Sequence, residues 1–280
     1  EATSLSAPQV GRYETAEGRR SFLVPNRYAE SGWFDYRPMM VRLPMALWNA
    51  TGASEDGDRV ERIRELERYD WSEYTPFHNK EDTGHEQAWH MFIRGESPTY
   101  PEEALRGTVA TVYGRIDSIR NDTSNPLDNH IHQWQQKNPV TTETLVQLTL
   151  GAPQFLYNGG LLQAPIRHFD GERRRPGLPE GVSALVTRVE TGEIELELVN
   201  LEGWEARSVI IQAGSFGENR FSSVRYGRFA SGDEADSVED CAVNGSHLEV
   251  RLPPASRIQL QLGLERRAGA TPSYRMPWEA

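Results

Sequence analysis

The sequence predicts an α+β chain: an all-helical domain over residues 1–158, then an antiparallel β-sandwich over 159–280. Three observations predict it. Apolar residues recur at helical spacing before residue 160 and alternate after it. Gly151 and Pro153 end the last helically periodic stretch. Beyond it, short β-rich runs are separated by Gly, Pro and Asn turns, the pattern of a sandwich.

Each element has its own signal. Glu1–Tyr28 shows no period and is expected to be irregular, as is Arg267–Ala280. Pro38–Trp48 is expected to be helical, with Pro44 kinking it. Asp56–Tyr69 places Val60, Ile63 and Leu66 on one face and charge elsewhere. His85–Arg94 forms a shorter helix. Tyr100–Arg120 carries Leu105, Val109, Val112, Ile116 and Ile119 on one face; Thr99 and Glu102 have capping-box spacing, and Pro101 sits in the first turn. Asn138-Pro139 opens a last helix ending at Leu150. Ala184–Glu190 and Glu193–Leu201 flank Thr191-Gly192, a two-residue hairpin signal. Ser208–Ala213, Phe221–Tyr226, His247–Leu252 and Arg257–Leu264 supply the remaining strands, with Pro253-Pro254 turning the chain between the last two.

Composition excludes several functions. The net charge is −11 with no basic block, which argues against nucleic acid or an anionic membrane surface as partner. The one basic cluster, Arg173-Arg174-Arg175, lies in a Pro/Gly-rich connection and reads as a solvated or ion-paired joint. No apolar run is long enough to span a bilayer, and Glu1–Gly11 lacks the pattern of a signal peptide. The expectation is a soluble protein; a secreted or periplasmic mature chain stays open. A single cysteine, Cys241, excludes an internal disulfide framework and any multi-thiolate metal site.

The chemistry concentrates in Thr75–His90. His78, His85, His90, Glu81, Asp82, Glu86 and Lys80 all lie there, flanked by Trp71, Tyr74, Phe77, Trp89 and Phe92. Titratable groups beside aromatic rings are what a site for a polar ring-shaped substrate requires. Glu81, Asp82 and Glu86 are the candidate carboxyls for glycoside hydrolysis, with Trp71, Tyr74 and Trp89 as stacking walls. For a lyase, His78, His85 or His130 with Tyr74 would take the proton, and Asn79, Lys80 or Asn129 would neutralise the substrate carboxylate. The same composition also makes a helix-start polar network, in which Asp82, Thr83 or Gly84 caps the helix that begins at His85.

Metal chemistry has a narrower opening. His85 and His90 resemble the zinc-protease pair but stand five apart, about 140° round a helix, so they cannot share one ion from a regular helix. His130 and His132, in Asn129-His-Ile-His-Gln-Trp134, could ligate a divalent metal with Glu81, Asp82 or His85 as third ligand. Without it no cofactor is expected, and Asn129, His130 and Trp134 would contact substrate.

The paired helices before Gly151 and the closing strand Leu252-Pro-Pro-Ala-Ser-Arg-Ile-Gln-Leu-Gln-Leu resemble the C-terminal part of bacterial α/α-toroid plus β-sandwich carbohydrate-active enzymes, the glycoside hydrolases and heparinase-type lyases. The resemblance is one of layout over most of the chain. It implies α/α hairpins, a carbohydrate substrate and a site on the helical domain, with the sandwich as accessory module. A complete toroid has more helices than this chain shows. Either another chain or additional sequence completes the helical domain, or the chain carries a smaller helical array. A non-catalytic glycan-binding or assembly module is the remaining alternative.

Overall fold

The computed structural model describes residues 11–14, 20–30, 32–38, 41–67, 70–75, 85–130, 133, 137–153, 162–229, 235–267, 270–271 and 273–279. Its architecture is α+β with a C-terminal β-sandwich. Among the described residues the order is β1 (Gly11–Glu14), β2 (Arg20–Ala29), β3 (Gly32–Pro38), α1 (Arg42–Thr51), α2 (Ser54–Glu67), α3 (His85–Ile93), α4 (Tyr100–Arg120) and α5 (Glu143–Leu150). Then come β4 (Ile166–Asp170), β5 (Arg175–Pro176), β6 (Val182–Glu190), β7 (Glu193–Asn200), β8 (Arg207–Ala213), β9 (Arg220–Phe229), β10 (Ala235–Gly245), β11 (His247–Leu252) and β12 (Ser256–Glu265).

The N-terminal segment departs from expectation. β1, β2 and β3 form an antiparallel sheet where irregular chain was expected. Pro25 hides it in the sequence, because proline cannot donate to a ladder. Among the described residues β1 pairs with Arg20–Leu23, and Pro25 pairs with β3. Pro38 ends β3, and α1 begins later than expected. Pro44 falls in the first turn of α1, where its missing N–H breaks no bond, so it starts the helix rather than kinking it.

Two other helix starts are corrected. Thr99 stands at the N-cap of α4 but makes no side-chain cap hydrogen bond, so the capping box is not formed. Asn138 accepts from the Val140 N–H at 3.0 Å, a local turn that delays α5 to Glu143.

The sandwich follows from alternation. In β7, Ile194, Leu196 and Leu198 are fully buried while the glutamates between them face the other way. The five-stranded sheet runs β10-β9-β12-β7-β6 and the four-stranded sheet β11-β8-β4-β5. Ile166, Val209, Ile211 and Leu252 from one meet Val186, Leu196, Leu260 and Leu262 from the other in a shared core. β10, polar and acidic, was not legible because it is an exposed edge strand and has little to bury. β10 and β11 belong to different sheets, so His247 follows a crossover rather than a hairpin. In the basic cluster, Arg173 pairs with Glu180 at 2.8 Å and Arg175 with Asp170 at 3.2 Å, an ion-paired joint. The C-terminal residues fold back on the sandwich: the Tyr274 ring lies tilted against Phe216 in the loop after β8 (5.3 Å) and Trp278 meets Phe169 of β4 edge-on (5.9 Å).

Helices and sandwich share one core. Asn49 Nδ2 donates to the Gln163 carbonyl at 2.8 Å, and the buried Arg266 guanidinium donates to the Asn49 carbonyl. Gly52 ends α1 with φ 61°, and a Cβ there would run into the Arg266 side chain. Gly151 does the same for α5 with φ 69°; a Cβ there would sit 2.9 Å from Val186 Cγ1. Gly151→Ala is expected to lower the free energy of unfolding by about 1–2 kcal/mol, from the left-handed backbone penalty alone. Urea denaturation of the two proteins measures it, and an unchanged midpoint contradicts it.

Candidate active site

Helix α3 is the centre of the helical part. Residues 86–93 are buried on every face, so the helix is a core element. Glu86 and His90 are one turn apart and share a side of α3. Glu86 is fully buried, and His90 is 2% exposed. His90 Nε2 lies 2.8 Å from Glu61 Oε1 on α2. The carboxylate is held below its usual range, first by this hydrogen bond and then, against desolvation, by the His90, Arg64 and Arg94 charges. A depressed carboxylate contributes stability above its usual titration range and loses it as the pH falls through the lowered value.

The pair continues outward. Arg64 Nη1 reaches Glu61 Oε2 at 3.3 Å and grips Glu96 through two hydrogen bonds of 3.0 and 2.6 Å. Glu96, Arg64, Glu61 and His90 therefore form a chain of alternating charge ending at the imidazole. Aromatic rings enclose that end: Trp48 stands edge-on to His90 at 5.6 Å and Trp71 at 6.1 Å. In the neutral imidazole with Nε2 donating to Glu61, the lone pair lies on Nδ1, and Nδ1 has no hydrogen-bond partner among the described residues. A carboxylate-oriented imidazole with its second nitrogen unengaged is the arrangement of a general base.

A second group packs on α3 through Phe92, whose ring is 6.0 Å from that of Tyr100. Tyr100 is buried and donates to Gln147 Oε1 on α5. Burial, then the Tyr74 and Glu86 charges, pushes the Tyr100 phenol well above its ordinary value, so it stays protonated. The Tyr74 ring is 6.2 Å from Tyr100, and its hydroxyl also lacks a partner among the described residues. Burial raises the Tyr74 phenol as well.

The residues singled out from sequence fall into three places. Glu86, Trp71, Tyr74 and Trp89 come together around α3; Trp71 and Trp89 are 2% and 0% exposed and belong to the core as packed. Asn129 and His130 lie on a separate loop after the short 3₁₀ turn Pro126–Asp128; Asn129 Oδ1 accepts from Ser124 Oγ at 3.3 Å, and the His130 N–H donates to Gln133 Oε1 at 3.1 Å. His78, Asn79, Lys80, Glu81, Asp82, His132, Trp134 and the His85 side chain lie outside the described residues. Among the described residues no three His, Cys, Asp or Glu side chains gather as metal ligands. No described helix is long and apolar enough to cross a membrane.

Sequence reasoning missed Glu61 and undervalued His90. Glu61 belongs to a helix whose charges were read as outward-facing, and it lies 29 residues from its partner. No local pattern announces such a pair. The Trp48 ring was likewise missed as part of the enclosure.

Residues 3–146, just over half of the chain, match the family described as "Domain of unknown function (DUF8034)". The chain belongs to that family. The matched span takes in the N-terminal sheet, all of α1 to α4 and the start of α5, so the aromatic–histidine cluster of this DUF8034 chain lies almost wholly within the family region. No curated protein matches the chain. Two solved structures resemble 30% of the DUF8034 chain. One is CelM2, a bifunctional glucanase-xylanase from a metagenome library, with 17% identity and a TM-score of 0.26. The other is a Paenibacillus polymyxa xyloglucanase from glycoside hydrolase family 44, with 15% identity and a TM-score of 0.23. The match covers 16% and 17% of those proteins' own length, and neither likeness carries an argument about function.

Proposed function

We propose that the helical part carries an acid–base site acting on a carbohydrate, with His90 as base, oriented by Glu61, and Glu86 as the nearest buried carboxyl. One observation carries the reading: the Glu61–His90 pair ends inside an aromatic enclosure with Nδ1 unpartnered among the described residues. The segment holding His78, Glu81 and Asp82 enters α3 directly and supplies the further carboxyls that glycoside cleavage uses. A net charge of −11 favours neutral glycans over polyanionic ones.

The test is release of reducing ends from neutral polysaccharides, with detection of unsaturated uronates as the assay for elimination. His90→Gln, Glu61→Gln and Glu86→Gln are measured beside wild type, and Glu81→Gln, Asp82→Asn, His78→Gln and His85→Gln are made singly. Losing the base is expected to lower kcat about 10²–10⁴-fold with the thermal transition retained. Glu61→Gln should also shift the pH–rate profile, because it removes the anion that orients the imidazole. Wild-type rates in the His90 and Glu86 variants would sink the assignment. A folded wild-type protein that cleaves nothing but binds glycans would replace the enzyme with a binding module.

A further inference from the structure

Helix α4 presents its apolar stripe to solvent. Tertiary packing uses the side lined by small residues: Tyr100 and Ala104 are buried, a Cβ on Gly107 would collide with the Tyr74 hydroxyl, and Thr108 Oγ1 meets Thr144 Oγ1 at 2.6 Å. The stripe lies roughly a third of a turn away round the helix. Along it Leu105 is 42% exposed, Val109 51% and Ile119 46%, with Tyr113 beside them at 64%; Val112 and Ile116 are half-buried. Leu105, Val109, Val112, Ile116 and Ile119 follow at spacings of four, three, four and three. That is the seam of a two-helix coiled coil, which calls for an apolar helix as partner.

We infer that the occupant is α4 of a second copy, packed antiparallel. This register sets Leu105 against the partner's Ile116 and Val109 against the partner's Val112. Charge decides the direction. The helix begins with Glu102 and Glu103, Glu102 pairing with Arg106 at 2.6 Å, and ends with Asp117 and Arg120, which pair at 3.4 Å; Arg115 lies between. Parallel copies would align arginine with arginine along the seam. Antiparallel copies bring Glu102 and Glu103 beside the partner's Arg120, Arg106 beside the partner's Tyr113, and oppose the two helix dipoles.

Area decides the strength. Fifteen residues make a seam about 22 Å long, a single helix face rather than the roughly 20–30 residues a side of a standard interface. The dimer is therefore weak, with dissociation in the micromolar range.

Sedimentation equilibrium of the whole chain between about 1 and 200 µM brackets that affinity. A monomer–dimer equilibrium is expected, with Val109→Glu and Ile119→Glu each weakening it more than tenfold. Both positions are exposed, so the thermal transition should stay at the wild-type temperature. Orientation is read by oxidation in a Cys241→Ser background. Leu105→Cys and Ile116→Cys proteins should cross-link to each other when mixed and not to themselves. A chain that remains monomeric, or a dimer indifferent to both glutamates, overturns the interface. Self-linking of each cysteine protein overturns the antiparallel arrangement.

Discussion

Trp89→Ala is expected to lower the free energy of unfolding by about 3–5 kcal/mol, the range for emptying a buried tryptophan site. Trp89 is fully enclosed, 6.4 Å from the Trp48 ring, and its neighbours on α3 are buried on all sides. The surrounding helices are tied to the sandwich through Asn49 and Arg266, which limits their collapse into the cavity. Trp89→Phe should cost less than half as much. It keeps most of the ring volume and removes the indole N–H, which is buried without a partner among the described residues. Urea denaturation of the three proteins decides the role. A stacking wall for sugar would instead leave stability within about 0.5 kcal/mol and lower activity.

The second large effect is a loss of stability in mild acid. His168 on β4 is buried, its Nε2 lies 2.7 Å from the Thr149 carbonyl at the end of α5, and its Nδ1 has no partner among the described residues. Burial pushes its pKa down from 6.5 to about 4, against the opposing effect of the hydrogen bond to the Thr149 carbonyl. The folded state therefore resists protonation that the unfolded chain accepts. The contribution is fully present above the unfolded value and is lost as the pH falls toward the folded one, about 3 kcal/mol in all. His247 is shifted in the same direction by burial, and Glu61 adds its own loss lower down, so the difference between proteins is the informative quantity. His168→Gln keeps a donor toward Thr149 and removes the titration. Its stability should be lower at neutral pH and flatter between pH 7 and 4.5 than wild type. Equal slopes for both proteins would assign the acid sensitivity to other groups.

The α4 helix shows where reading a sequence stops. Its limits, Tyr100 to Arg120, were legible from propensity, Pro101 and the four–three spacing. Which side it would bury was not, because the apolar stripe is the natural choice and Ala104, Gly107 and Thr108 were taken instead. Small residues let Tyr74 and α5 come close, and that close approach depends on where those elements arrive. β10 and the N-terminal sheet were missed for a different reason. An exposed polar edge and a proline-containing strand are defined by their hydrogen-bonded neighbours, not by their own pattern.

The candidate site divides along the same line. That titratable and aromatic groups gather before α3, with Glu86 and Trp89 on it, was local information and readable from residue types. The joining of His90 to Glu61 and the enclosure by Trp48 and Trp71 came only with the packing of α1, α2 and α3. The sequence by itself determined the fold class, six of the sandwich strands and the position of the long helix, because periodicity is a property of neighbouring residues. The tertiary structure alone decided which polar groups meet, since a hydrogen bond between residues far apart in the chain depends on how the core closes.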